Sequence, residues 1–102
     1  MNAADITTAL NSAASQLLAA GRTDADASPP AMRLKCLLAV DHLHAAGVHP
    51  THREPAAAGP PEQLIRAAMT ELASLPPHVF ASPDILHAAI AARHALARLE
   101  DT

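Results

Sequence analysis

Seven histidines and one cysteine are the side chains of this 102-residue sequence best suited to chemistry. Four of the histidines fall close together, His42, His44, His49 and His52, with Asp41 beside the first. Zinc takes three or four N, S or O ligands arranged tetrahedrally. On a helix such ligands need i,i+3 or i,i+4 spacing, and His42 and His44 stand about 160° apart on the helical wheel. Asp41 and His44 meet the spacing, and His49 and His52 could join them from a following loop. Asp41, His44, His49 and His52 are therefore the candidate metal set, although the ligand spacing only half matches. The plainer reading is an Asp41–His44 ion pair at a helix end followed by two solvated histidines.

The histidines also bear on charge. Their full protonation would carry the net charge from -3 to +4, in the pH range where histidine ordinarily titrates. Arg outnumbers Lys six to one, and Ala, Pro and His are abundant. This usage is what a GC-rich coding sequence produces, as in many bacteria and their phages.

Other chemistries find little support. Cys36 falls on an apolar stripe, where thiols are mostly inert packing residues. A lone cysteine forms no internal disulfide, which fits a reducing, cytoplasmic setting. No G-x-S-x-G, G-x-x-x-x-G-K-[ST] or G-x-G-x-x-G pattern occurs, and the sequence has three glycines in all. A phosphate-cradling loop is thus not expected, nor is an enzyme, and no cofactor is implied. The N-terminus shows no basic segment leading into an apolar run, so no signal peptide is expected. The longest purely apolar stretch, Cys36 to Val40, falls far short of the roughly 20 residues of a membrane span. Arg93, Arg98, His87 and His94 give the last helix a modestly basic face. The connection before it is longer than a helix-turn-helix allows, and the chain is acidic overall. Nucleic acid is therefore not an expected partner.

The elements that position these residues are well punctuated. Gly21 and Gly47 each follow an Ala- and Leu-rich run and suit the left-handed position past a helix end. Ser28-Pro29 and Ser82-Pro83 each place a hydroxyl before a proline, as at a helix start. Pro60-Pro61 precedes Glu62, and Pro76-Pro77 ends the run before it. Four helices follow, at about 3–20, 29–46, 61–75 and 83–99, in one domain covering residues 1–102. Short outer connections favour antiparallel neighbours, so the expected fold is all-α, a small four-helix up-and-down bundle.

The helical period assigns the buried faces. In the first helix Ile6, Leu10, Ala13, Ala14 and Leu17 share a face. In the third, Leu64, Ile65, Ala68, Met69, Leu72 and Leu75 form one arc, with Glu62 and Arg66 spaced for an ion pair. The second carries two apolar stripes, Met32/Cys36/Val40/Leu43 and Leu34/Leu37/Leu38, and is expected to be the central, most buried element. Asp41, close to the second stripe, is expected to be partly buried. The fourth has a row Ile85, Ala89, Ala92, Leu96 and Leu99, widened by Leu86, Ile90 and Ala97.

About a quarter of the residues are Ala, and Phe80 is the sole aromatic of the Phe/Trp/Tyr type. A core of methyl groups contributes little burial against an ordering cost of about 1–2 kcal/mol per residue. Partner helices would improve that balance. The expectation is a non-enzymatic protein–protein interaction or assembly module, of adaptor or regulatory type. It would bind another protein or a second copy of itself through Leu86, Ile90 and Ala97, with Leu96 and Leu99 contributing. A metal-binding or pH-responsive protein is the alternative, and a weak DNA-binding regulator a further one.

Overall fold

A computed structural model describes residues 2–23, 28–48 and 59–100. These residues form four long helices and one single turn: α1 (Ala3–Gly21), α2 (Pro30–Ala45), α3 (Pro61–Ala73), α4 (Pro77–Phe80) and α5 (Pro83–Glu100). The four long helices are those expected from the sequence. The turn α4 lies inside the expected 76–82 connection, and its Val79 and Phe80 pack against the core.

Each boundary has a local cause. Asn2 caps α1 through a reciprocal box: its Oδ1 accepts from the Asp5 N–H at 2.9 Å while its own N–H donates to Asp5 Oδ2 at 3.4 Å. Helices α2, α3 and α4 begin at prolines in the first turn, where the missing N–H costs nothing. At the end of α2, Gly47 adopts φ +92°. Its N–H donates to the His44 carbonyl and that of Val48 to the Leu43 carbonyl, both at 2.9 Å. With Val48 buried, this is a complete Schellman ending.

Two punctuation marks act differently from expectation. Gly21 is the last residue of α1 and has no positive φ; it serves close packing. A Cβ there would come 2.7 Å from Leu37 Cδ2 and 3.4 Å from the Arg33 carbonyl oxygen of α2. Ser28 is not the cap of α2, which starts from Pro29. It is buried, and its hydroxyl accepts from Thr23 Oγ1 at 2.7 Å, tying the two ends of the α1–α2 connection together.

The long helices stand in a ring ordered α1, α2, α5, α3; α2 and α3, consecutive in the chain, sit on a diagonal. Ring neighbours run antiparallel. His42 near the end of α2 faces His87 near the start of α5. Arg66 near the start of α3 reaches Glu100 at the end of α5 at 2.7 Å. Gly21 at the end of α1 meets the first half of α2. It follows that α2 and α3 point the same way, so Val48 and Gly59 lie at opposite ends of the bundle. The bundle is all-α as expected, but its helices run up, down, down, up rather than in strict alternation, because the long second connection crosses from one end to the other.

The core gathers Leu17, Met32, Leu43, Ile65 and Leu72 with Cys36, and nearly half of the buried apolar residues described are alanine. Alanines let helix axes approach, and α5 shows this best: Ala88, Ala91, Ala92 and Ala95 form its inward seam with Ile85 and Leu96. Helix α2 is not the central element expected. Its Met32/Cys36/Val40/Leu43 stripe is buried, but Leu34, Leu37 and Leu38 turn to the outside. In a ring of four, each helix has two neighbours and one free side. Leu34 falls on that free side, while Leu37 borders Gly21 of α1 and Leu38 borders α5, both only partly covered.

Candidate functional site

The outer surface of α2 and α5 collects the residues with functional potential. On α5 the alanine seam fixes the rotation of the helix. The opposite side therefore presents Leu86, His87, Ile90, Arg93, His94 and Ala97, all exposed. On α2 the same logic turns Leu34, Leu38 and Asp41 outward. Between the two helices runs a groove. Its apolar floor is Leu38, Ile90 and Ala91, and its walls are Lys35, His42, His87 and His94. Past His94 the groove continues along Lys35, Ala97 and Arg98. Among the described residues no Asp or Glu lines either stretch. On the other flank of α5, Leu86 and Ile90 border a hollow with Met69, Leu72 and Phe80.

The apolar surface is continuous. Leu34 is one helical turn from Leu38, Leu38 shares the groove with Ile90, and Ile90 shares the neighbouring hollow with Leu86. Leu34 is 67% exposed, Ile90 44%, Leu86 40% and Leu38 39%. Scattered surface leucines are ordinary, whereas a connected patch is not.

Of the residues expected at an interface, Leu86, Ile90 and Ala97 face solvent, and Leu99 is half-buried. Leu96 is buried instead, because the center of the buried arc lies on the alanines at 88, 92 and 95 and sweeps Leu96 inward. Sequence reasoning passed over Leu34, Leu38, Lys35 and His42 as parts of this surface. Their signal was present as the second stripe of α2, which was assigned to the interior.

The candidate metal set cannot be assembled from the described residues: His49 and His52 lie outside them. Asp41 and His44 are exposed on the last turns of α2, so the partial burial expected of Asp41 is not found. Among the described residues no group of three His, Cys, Asp or Glu is placed to hold an ion. The histidines that do meet are His42 and His87, with ring centroids 5.3 Å apart and planes tilted by 57°. This pair falls short of the three or four ligands zinc requires.

Cys36 is fully buried beside Met32, its thiol donating to Met32 Sδ at 3.5 Å. Burial pushes the thiol up to about 12, which keeps it protonated and unreactive at neutral pH. Among the described residues no helix is long and apolar enough to cross a membrane. No protein-family model matches the chain, and no curated protein or solved structure matches it either.

Proposed function

We propose that this chain is a non-enzymatic interaction module that docks another protein, or a second copy, on the outer face of α2 and α5. The observation that carries the reading is the connected patch Leu34–Leu38–Ile90–Leu86, left uncovered by the chain's own helices. Fully burying a Leu or Ile contributes about 1.5–3 kcal/mol, and half or so of each of these side chains remains to be buried. A partner covering the patch would supply apolar contact that an alanine-rich core supplies sparingly. The inert state of Cys36 agrees with a non-catalytic role, and its lack of a partner cysteine within the chain agrees with a reducing, cytoplasmic setting.

Photocrosslinking in cells tests the reading. A photoreactive residue at Ile90 is expected to give one discrete adduct, lost when Leu38→Glu is added, while the same residue at Thr70 on α3 gives none. Equal, diffuse labelling from positions 90 and 70 would remove the docking role. Because Leu38 is already partly exposed, Leu38→Glu is expected to leave the melting temperature nearly unchanged.

A further inference from the structure

Resting on the docking role proposed above, the geometry points to an acidic amphipathic helix as the partner seated in the α2–α5 groove. The chain holds more Asp and Glu than Lys and Arg, 10 against 7, yet among the described residues no carboxylate lines the groove. Its walls are Lys35 and His42 from α2, and His87, His94 and Arg98 from α5. Its floor is apolar. A partner that satisfies both must carry a row of apolar side chains flanked by carboxylates, the pattern of an acidic helix laid into a groove.

The dimensions agree with such an occupant. From His87 to Arg98 the groove follows α5 for about 16 Å, close to three turns of a partner helix. Two antiparallel helices side by side offer ridges and grooves to a third helix, and neither offers the free backbone edge that a strand would need. Polyphosphate chains such as nucleic acids would meet the walls but gain nothing from Leu38 and Ile90. A second copy docked groove to groove would set Lys35 and Arg98 against like charges, which opposes association.

The walls make binding depend on pH. Histidine is the side chain that ordinarily changes charge between pH 5 and 8, and three of them face the groove. The other charged groups near them are Asp41, next to His42 on the outer side of α2, Asp84, one turn before His87, and Arg93, on the α3 side of α5. Helices α1 and α3 contribute no lining residue. Protonation therefore adds positive charge to groove walls that no described carboxylate lines, Asp41 and Asp84 lying beside them rather than in the groove.

The test uses the full chain and a fluorescent 18-residue synthetic helix bearing a leucine row flanked by glutamates. Comparison probes are the same helix with lysine for glutamate, polyglutamate, and a single-stranded oligonucleotide. Fluorescence anisotropy is expected to show the Leu/Glu helix bound about fivefold or more tighter at pH 6 than at pH 8. Lys35→Glu combined with Arg98→Glu is expected to weaken it about tenfold or more, with an unchanged melting temperature. Replacing His42, His87 and His94 by Gln is expected to flatten the pH dependence. Ile90→Glu, a second route to the same surface, is expected to abolish binding. Equal binding of the Leu/Lys helix, of polyglutamate or of the oligonucleotide would overturn the acidic-helix assignment, as would a dimer that closes the groove. Absence of Leu/Glu binding with the Ile90 crosslink intact would overturn the assignment and leave the docking role standing. Loss of both would remove both.

Discussion

Burial of Cys36 ties a proton to the folded state. The thiol is moved from an ordinary value near 9.0 up to about 12 by desolvation alone, so the fold prefers the neutral form. An unfolded chain releases that proton earlier. The stabilisation is therefore complete below about pH 8.5 and is lost as the pH rises toward 12. Unfolding free energies from urea denaturation between pH 8 and 11 are expected to fall, with a limiting slope of about 1.4 kcal/mol per pH unit. Cys36→Ala is expected to flatten that fall. A chain whose midpoint holds steady to pH 11 would show the thiol to be solvated. The burial of Cys36 was legible in the sequence, because Met32, Val40 and Leu43 repeat on its side of the helix. The meeting of His42 with His87 was not: it depends on which helices become neighbours and how each is rotated, and neither is written locally.

Helix limits were the most readable feature at the scale of elements. Proline at the first turn and glycine at position 47 each fix backbone geometry through strictly local sterics. What could not be read was the rotation of α5. A hydropathy arc weighs Leu and Ile above Ala, and so it took the row Ile85, Ala89, Ala92, Leu96 and Leu99 with Leu86, Ile90 and Ala97 beside it, and left out Ala88, Ala91 and Ala95. Packing weighs fit, and α5 turns its methyl row at 88, 91, 92 and 95 inward with Ile85 and Leu96. The same oversight put Leu34 and Leu38 in the interior. Ala88 and Ala97 separate the two accounts. Ala88→Leu is expected to cost about 1–3 kcal/mol by overpacking, whereas Ala97→Leu, on the exposed side, should stay within about 0.5 kcal/mol. Urea denaturation of the two variants measures both. Equal costs would mean that the seam lies elsewhere.

Across the whole molecule, chain order and spatial order part company. The all-α bundle with short outer connections was evident from periodicity and punctuation, and α1–α2 and α3–α5 are indeed antiparallel hairpins. The diagonal placement of α2 and α3 was not evident, since a long connection permits either route. Deleting residues 49–58 tests the arrangement. Five residues would remain between Ala45 and Pro61, spanning about 20 Å at full stretch, whereas the bundle ends they must join are roughly 25 Å or more apart. The shortened chain is expected to place its second hairpin on another copy's first hairpin and to elute as a dimer with native helical content. A stable monomer would refute the diagonal.

The most extensive packing in the molecule joins α2 to α5 and α1 to α3, in each case across the two hairpins. During synthesis the first hairpin must therefore leave the ribosome before either of its main packing surfaces has been made. The side of α2 that packs on α5 stays uncovered until the last helix arrives to close over it. For a helical protein this is a late and long-range closure, and it should make folding slower than the helix content alone would suggest.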